Sequence, residues 1–429
     1  MIFGKKPAPS VGGPIGVTNG GVVGGVNPGG AHSGGVGAAT GGRFGFGYLP
    51  LDQVYLDSAC QTLRPDPVQN ALLDYYQNYG ACGERAKYDW GVKVDERVSA
   101  VRAKVLAWLQ LPANQYTVAF TLNTTYALNL LLTQLPRYAS IVTTHTEHNS
   151  VFLSTMAYAR RVGVPRMLLD RDANGNVVYS DAQLRNAVVV LAAMNNVDGA
   201  FVPNLPQLIA DAHRLGGIVI IDAAQAAGHA VGLIAGLPAD AICFSAHKVY
   251  AASLGVIAAR NNLIRSLELG FLGGGQVSSV SADSYTLLDE PHALLEPGLQ
   301  AWGEIITLGA ALDWLGGYAA AVGESVEARE HRLGAALYDG IAGSGKYRIL
   351  GQRGSALVTV VPKGGDGHRL AVFLSKADIR VRSGYFCAHH WLEEQLQLPP
   401  LVRFSIGAHN TDADIAKTIT YVNRLAKTF

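Results

Sequence analysis

Residues 218–229 read IVIIDAAQAAGH, and residues 241–260 read AICFSAHKVYAASLGVIAAR. Each segment opens with an apolar run that is typical of a buried strand. The first run ends at Asp222 and the second at Ser245, so that Lys248 follows the second strand closely. Ligands collect at the ends of neighbouring strands in an open α/β sheet, and we therefore expect Asp222 and Lys248 to reach one small molecule together.

An acid and a lysine placed in this way match the needs of pyridoxal phosphate. A carboxylate keeps the pyridine nitrogen of this cofactor protonated, and a lysine holds its aldehyde as a Schiff base until a substrate amine displaces it. Taken singly, Asp222 could be a turn or cap residue and Lys248 a solvated edge charge. Their combination at two strand ends favours the cofactor site.

The full pattern resembles a known family. A strand followed by D-x-x-Q, and about twenty residues later a strand followed by S-x-H-K, is similar to class V aminotransferases and cysteine desulfurases, which are pyridoxal phosphate enzymes of fold type I. By this resemblance Lys248 is the Schiff-base lysine and Asp222 pairs with the pyridinium. Gln225 would hydrogen-bond the ring hydroxyl, and Ser245 and His247 would contact the phosphate.

Three earlier segments add to the expected cofactor site. Thr124 and Thr125 begin a predicted helix, where free N–H groups and the helix dipole favour a phosphate, although a plain N-cap is the alternative. They match the G-T-T-E-x-x-N segment of the family. The resemblance also implies that His148 stacks on the cofactor ring and can shuttle protons, and that Asn196 lies near the ring and the substrate carboxylate.

Two C-terminal segments carry the expected reaction chemistry. Residues 380–388, RVRSGYFCA, resemble the R-x-G-x-x-C-A loop of cysteine desulfurases. A buried structural thiol is the common fate of a lone cysteine, but the Gly-containing loop and its polar neighbours favour an exposed, reactive Cys387. Residues 402–405, VRFS, resemble the R-x-S segment, so that Arg403 would clamp the substrate carboxylate, with Arg382 and Asn196 also binding the substrate.

The other cysteines are expected to be free thiols. No CxxC and no secretory signal accompany the four cysteines, which argues against a disulfide framework and against a metal site. Cys243 lies in an apolar strand and is expected to be buried. Residues 54–60, VYLDSAC, resemble the YLDNAA segment that opens the family, with Ser58 and Cys60 as departures from it. By this resemblance the segment lies along the substrate entrance, so that the departures could alter substrate contacts. For Cys60 we expect a buried packing role instead.

Composition limits the partners of the chain. The 429 residues carry a formal net charge of +1, and no basic stripe stands out, so a nucleic-acid partner has no electrostatic support. No uninterrupted apolar run approaches the length that crosses a bilayer, and no signal peptide is recognisable. We therefore expect a cytoplasmic protein with a small-molecule substrate and no membrane segment.

The strand and helix alternation predicts an α/β fold with a largely parallel sheet. We expect a segment at 47–72 that packs with a small domain, a large cofactor-binding domain at 73–300 and a smaller α+β domain at 301–429. Residues 1–46 are roughly a third glycine and contain no acidic residue, which predicts a disordered tail. The tail is either a flexible extension without function or a docking segment, and the resemblance to this family includes relatives whose disordered N-terminal extensions load them into protein shells.

The resemblance implies a cysteine desulfurase of group II, the branch that is similar to selenocysteine lyases. Such an enzyme would convert L-cysteine to L-alanine, hold the sulfur on Cys387 as a persulfide and pass it to an acceptor protein or a small thiol. A homodimer is expected. The alternatives are a selenocysteine lyase, another class V reaction such as transamination or epimerisation, and a cargo protein that docks through its N-terminal tail inside a protein compartment.

Overall fold

The computed structural model describes residues 43–84 and 86–425. Within these ranges the strands are β1 (Val54–Tyr55), β2 (Tyr116–Thr121), β3 (Ser140–Thr144), β4 (Arg166–Leu169), β5 (Ala187–Ala192), β6 (Ile218–Asp222), β7 (Ala241–Ser245), β8 (Gly255–Arg260), β9 (Val277–Val280), β10 (Tyr285–Leu287), β11 (Tyr347–Leu350), β12 (Leu357–Pro362), β13 (Ile379–Arg380), β14 (Arg382–Gly384) and β15 (Leu401–Ser405).

The helices in the same ranges are α1 (Asp66–Asn78), α2 (Asp89–Trp108), α3 (Thr124–Gln134), α4 (Asn149–Val162), α5 (Asp181–Leu184), α6 (Leu205–Arg214), α7 (Ala226–His229), α8 (Asn261–Arg265), α9 (Trp302–Val322), α10 (Val326–Ala342), α11 (Gly367–Ser375) and α12 (Asp412–Leu425). Local chemistry explains several ends. The side chain of Asn123 caps α3, for example, by accepting a hydrogen bond from the amide of Tyr126 at 2.9 Å.

A seven-stranded sheet with the order β2-β8-β7-β6-β5-β3-β4 forms the centre of the fold. The pairs β3–β4, β3–β5, β5–β6 and β6–β7 are parallel, which confirms the expected α/β fold, whereas β8 runs antiparallel to both of its neighbours. Gly255 at the start of β8 is paired with Thr121 on one side and with Ser245 on the other. The carboxyl ends of β2, β3, β5, β6 and β7 therefore meet at one edge of the sheet.

A second sheet contains four antiparallel strands in the order β11-β12-β15-β14. Arg382 of β14 lies directly opposite Arg403 of β15 in this sheet. The short strand β1 pairs in parallel with β13, so that residues 54–55 join the C-terminal part of the chain. The sheets agree with the expected architecture, and the domain limits at residues 72 and 300 stay a prediction.

The folded part of the chain begins earlier than predicted. We expected the glycine-rich tail to extend to residue 46, but Phe46 is only 1% exposed and Arg43 is also buried. Arg43 forms an ion pair of 2.8 Å with Asp414 of α12, and Phe44 stacks on Trp314 of α9 with the ring centroids 6.3 Å apart. An arginine and two aromatic side chains therefore anchor this segment. The prediction missed them because it rested on the average glycine content of the whole region. The rest of the expected tail, residues 1–42, lies outside the described residues.

Helix α9 is the one element, among the described residues, that is long and apolar enough to cross a membrane by length and composition alone. The sequence predicted no apolar run of this length, because charged residues interrupt the stretch. Half of its apolar window is buried inside the protein, where the helix packs against α1 and α2. It also carries Glu304 and Asp313. Burial against two neighbouring helices is typical of a core helix.

Candidate active site

One cavity of about 350 Å³ lies at the edge of the central sheet where the strand ends meet. Its lining brings together residues from both sheets and from the loops between them. The cavity is lined by every site residue that the sequence indicated: Thr124, Thr125, His148, Asn196, Asp222, Gln225, Ser245, His247, Lys248, Arg382, Cys387 and Arg403. Their individual roles remain predictions, but their convergence on one site is observed.

Asp222 and Lys248 occupy the inner wall of this cavity. Asp222 ends β6, is 5% exposed and accepts a hydrogen bond of 2.9 Å from the amide of Ala224. Burial raises the pKa of Asp222 and lowers that of Lys248, and in each case the charge of the other residue opposes the shift. Gly228 of α7 permits the close packing here, because a Cβ atom at this position would lie 2.3 Å from the carbonyl oxygen of Lys248. Asp222 is thus held out of water, and Lys248 follows the end of the adjoining strand in a partly buried position.

Hydroxyl groups cluster where α3 begins. The amide of Thr124 donates to Ser245 Oγ at 3.0 Å, the Oγ atoms of the two residues are 2.6 Å apart, and Thr125 Oγ1 is 2.5 Å from Ser150 Oγ. Gly255 allows β8 to approach this turn, since a Cβ atom there would lie 2.6 Å from the amide nitrogen of Asn123. Hydroxyls beside the positive end of a helix form a site that suits a phosphate.

His148 stands at the start of α4 as a neutral side chain. Its Nδ1 accepts a hydrogen bond of 3.0 Å from the amide of Ser150, which leaves the proton of the neutral ring on Nε2. Burial lowers the pKa of His148 to about 3, and the charges of Lys248 and Arg403 contribute to this shift. A neutral, buried imidazole can stack on an aromatic ring and hold a proton at Nε2.

Three buried polar atoms in the cavity wall have no hydrogen-bond partner within the described part of the chain. They are Gln225 Oε1, His247 Nδ1 and Arg403 Nε. The amide nitrogen of Gln225 donates to the carbonyl oxygen of Ala59 at 2.8 Å, so that only the oxygen of its side chain is free. Burial lowers the pKa of His247 to about 4. Because unpaired buried polar atoms are costly, they indicate a polar ligand, and with the hydroxyl cluster and the Asp222–Lys248 pair they fit pyridoxal phosphate.

Two arginines face the cavity from the second sheet. Arg403 is 3% exposed, donates to the carbonyl oxygen of Asn196 at 2.7 Å and lies 3.6 Å from a carboxylate oxygen of Asp57. Arg382 lies 3.2 Å from the other oxygen of Asp57, with 45% of its side chain exposed. Burial raises the pKa of Asp57, and the two guanidinium groups oppose this shift. Asp57 therefore holds both arginines in place, a role that the sequence did not indicate.

Cys387 is exposed, which confirms the expectation, and Cys243 is buried as expected. The amide of Asn149 donates to the carbonyl oxygen of Cys387 at 2.6 Å, and the side-chain amide of Asn196 donates to that of Phe386 at 2.8 Å. Phe386 and Cys387 have φ values of 49° and 58°. Non-glycine residues in the left-handed region are uncommon, and such conformations persist where surrounding contacts impose them. The thiol is thus presented on a constrained turn.

Two further features near the cavity were not predicted. Cys60 is partly exposed rather than buried, lines the cavity, and its Sγ contacts the guanidinium of Arg382. Its position just after the β1 segment, which pairs with the C-terminal region, explains this exposure. Beside the Cys387 turn, His145 Nδ1 is 3.2 Å from His390 Nε2, and His390 Nδ1 is 2.9 Å from a carboxylate oxygen of Glu394. The sequence held no signal for the contacts of Cys60 with Arg382 and of His145 with His390, which join distant parts of the chain.

Comparisons with known proteins agree with this geometry. The model of the family Aminotransferase class-V matches residues 54–417. A probable cysteine desulfurase of Pseudomonas putida is 31% identical over 374 residues, which cover 85% of this chain and 92% of the relative. A probable cysteine desulfurase of Vibrio cholerae is 29% identical over 86% of this chain and 93% of the relative.

A solved structure is similar over nearly the whole described chain. The crystal structure of the cysteine desulfurase CsdA from Escherichia coli superposes with a TM-score of 0.80 at 26% identity, covering 90% of this chain and 98% of that one. This similarity confirms the expected fold of type I pyridoxal phosphate enzymes. With the strand-end lysine and acid, the hydroxyl cluster and the family match over residues 54–417, the chain belongs to the class V aminotransferase family.

Proposed function

We propose that the protein is a pyridoxal phosphate-dependent cysteine desulfurase that converts L-cysteine to L-alanine. One observation carries the proposal: an exposed cysteine, Cys387, lines the same cavity as Lys248 and Asp222. The names of the Pseudomonas putida and Vibrio cholerae relatives support it. A transaminase needs the lysine and the acid but has no use for a thiol at this place, so Cys387 favours desulfuration.

The cofactor, when bound, supplies an electron sink that makes the bonds at the substrate Cα and Cβ labile. Lys248, Asp222, Gln225 and the hydroxyls of Thr124 and Ser245 would hold it. Lys248 Nζ is the base for the Cα proton, since the lowered pKa of this amine favours its neutral form.

The substrate side of the cavity completes the chemistry. Arg403 binds the substrate carboxylate, and Asn196 supports it through the hydrogen bond of 2.7 Å from Arg403 to its carbonyl oxygen. The Cys387 thiolate attacks the substrate sulfur, and the Cβ–S bond breaks with its electron pair left on the carbon side. Protonation of Cβ gives alanine, and the sulfur stays on Cys387 as a persulfide. The persulfide then passes to an acceptor protein or to a small thiol.

The test is to assay the holoenzyme with L-cysteine for alanine and for sulfide released by a reducing thiol. Amino transfer to a keto acid and racemisation are measured in parallel, and L-selenocysteine is assayed separately. Alanine and sulfide in equal amounts are the expected result. Amino transfer or racemisation without sulfide would replace the proposal by another class V reaction, and turnover of L-selenocysteine alone would replace it by a selenocysteine lyase.

A homodimer is part of the proposal. The segment 270–299 exposes several large apolar side chains, and Leu299, where the family has a threonine that reaches the cofactor phosphate of the neighbouring subunit, is 77% exposed. Exposed apolar patches of this kind mark interaction sites. The other large side chains exposed in this segment are Phe271, Leu272, Val280 and Tyr285. Light scattering of the purified protein should give twice the mass of one chain, and a monomer would contradict this proposal.

The cellular placement rests on composition and resemblance. We propose a cytoplasmic enzyme, and docking of residues 1–46 into a protein shell is the alternative placement for the same chemistry. The glycine-rich composition of this segment is the only support for docking. Co-purification of the full chain with a shell protein, lost on removal of residues 1–42, is the test.

A further inference from the structure

The catalytic cavity contains a second thiol, Cys60. Its Sγ contacts the guanidinium of Arg382, and the residue lines the same cavity as Cys387. The family segment that it resembles has an alanine at this position, so the thiol is a feature of this chain. The remaining cysteines are elsewhere: Cys243 is fully buried, and Cys82 is exposed but lies outside the cavity lining.

A continuous set of contacts joins the two cavity thiols around the proposed substrate site. Phe386, the neighbour of Cys387, has its ring 4.9 Å from the guanidinium carbon of Arg403. Arg403 pairs with Asp57 at 3.6 Å, and Asp57 pairs with Arg382 at 3.2 Å. Arg382 in turn contacts Cys60. Both thiols therefore stand beside the arginines that would bind the substrate.

Independent features show that an anionic group belongs between them. Arg403 is almost fully buried, and its Nε has no hydrogen-bond partner within the described residues. Burial lowers the pKa of Lys248, and the charges of Asp222, Cys60 and Cys387 act against this shift, so both thiols lie within electrostatic reach of the lysine. A cavity near 350 Å³ is at the small end of ligand sites, and both thiols lie on its wall.

We propose that Cys60 is a second sulfur-carrying thiol, which accepts the outer sulfur of the persulfide formed on Cys387. This inference rests on the proposed desulfurase function. Cys387 is exposed on its constrained turn, and Cys60 is the other cysteine among the residues that line its cavity. Arg382, which contacts Cys60 Sγ, stabilises the anionic sulfur on that residue.

The transfer needs no further reagent. The Cys60 thiolate attacks the outer sulfur of the Cys387 persulfide, and a new S–S bond forms at Cys60 while the old S–S bond at Cys387 breaks. The electron pair of the broken bond goes to Cys387 Sγ, which becomes a thiolate, and the proton of the persulfide stays with the transferred sulfur. One persulfide and one thiolate enter the step, and one persulfide and one thiolate leave it. Cys387 is then free for a second substrate, so that each protomer stores two sulfur atoms.

The experiment follows the sulfur on intact holoenzyme without a reducing thiol. A pulse of L-cysteine is quenched at intervals with an alkylating reagent, and peptide mass spectrometry measures persulfide on each cysteine. Sulfur should appear first on Cys387 and then on Cys60. Cys60→Ala, which installs the family residue, should lower the stored sulfur by about half, because one of two acceptor thiols is lost. Cys60→Ser provides a second variant of similar size.

Matched variants separate this inference from the proposed function. Cys387→Ala should leave Cys60 unmodified, and exposed Cys82 should stay unmodified in every sample treated with L-cysteine. Persulfide on Cys387 but never on Cys60 would overturn the relay while the desulfurase stands, and equal modification of Cys60 in Cys387→Ala would overturn the order of transfer. If no persulfide forms from L-cysteine, the desulfurase proposal fails.

In that case, wild type and Cys387→Ala are treated with inorganic polysulfide instead. Faster modification of Cys60 in the wild type would support the relay, and equal rates in both would overturn it.

Discussion

The inner wall and the substrate side of the cavity are built in different ways. Asp222, Ser245 and Thr124 are buried at the strand ends of the seven-stranded sheet or at the helix start beside them. On the substrate side, Arg382 and Cys387 are exposed, and the thiol is on a turn rather than on a strand. Rigid elements hold cofactor groups accurately, whereas a thiol that must meet both a substrate and an acceptor needs access.

The largest effect is expected on the inner wall. Lys248→Ala removes the amine that would bind the cofactor covalently and act as base, so turnover of L-cysteine should fall by about 10³-fold or more. The yellow absorbance of covalently bound cofactor should disappear as well. Loss of absorbance without loss of the folded state, measured by circular dichroism, is expected. An unchanged spectrum in the variant would show that Lys248 is not the cofactor lysine.

The next effect is on the substrate side. Cys387→Ala should lower desulfuration of L-cysteine roughly 10²-fold or more, since the thiol acts on the bound substrate. Cofactor absorbance and its change on addition of L-cysteine should persist, which Lys248→Ala does not allow. Cys243→Ala is the matched control, because a fully buried thiol should affect thermal stability and leave the chemistry in place. Full cysteine desulfuration by Cys387→Ala would contradict the persulfide mechanism.

A smaller difference is expected between the two arginines. Arg403→Lys replaces a buried, planar guanidinium by a single ammonium group. The variant should lose one hydrogen bond to the substrate carboxylate, which contributes about 1.5–3 kcal/mol, so KM should rise about 10–100-fold. Arg382→Lys acts at a half-exposed ion pair, where about 1 kcal/mol or less is at stake, so KM should rise by about fivefold at most. Steady-state kinetics with melting temperatures as a fold control measure both. A larger effect at Arg382 would move the carboxylate site to that residue.

The comparison also explains which parts the sequence could predict. Strand ends such as Asp222 and Ser245 carry a local pattern of an apolar run followed by a polar residue, and the parallel sheet brings these ends to one edge. The substrate side depends on pairings between distant segments, such as the contact of Arg382 with Cys60 and the ion pairs of both arginines with Asp57. Such contacts leave no periodic signal, which is why the position of Cys60 was predicted wrongly.

Acid should affect the inner wall of the cofactor-free protein. Burial lowers the pKa of His148 to about 3 and that of His247 to about 4, against an ordinary value of 6.5. Below pH 6.5 these histidines are protonated in the unfolded chain but remain neutral in the folded chain. Their contribution to the free energy of unfolding therefore decreases as the pH falls. Glu147, whose pKa burial raises to about 7, acts in the opposite direction, since its contribution is lost as the pH rises through 7.

The contribution of His148 and His247 to the melting temperature of the cofactor-free protein should therefore decrease between pH 6.5 and pH 4, while the contribution of Glu147 increases. His148→Asn should flatten this decrease, because asparagine does not titrate. Glu147→Gln should steepen it, since it removes the opposing group. Identical slopes in wild type and His148→Asn would show that the imidazole is not held neutral by burial.

The smallest effect is expected from deletions at the N-terminus. Two deletions of different length distinguish the glycine-rich residues 1–42 from the anchoring residues 43–46. Removing residues 1–42 should leave the melting temperature and turnover nearly unchanged, because this glycine-rich stretch has few apolar side chains to bury. Removing residues 1–46 also deletes Arg43 and Phe46, which leaves Asp414 as a buried charge without its partner. Breaking a buried ion pair costs about 3–5 kcal/mol, so this longer deletion should lower the melting temperature clearly. If both deletions melt at the temperature of the wild type, the Arg43–Asp414 contact contributes nothing to stability. If both melt below the wild type by the same amount, the anchor lies upstream of residue 43.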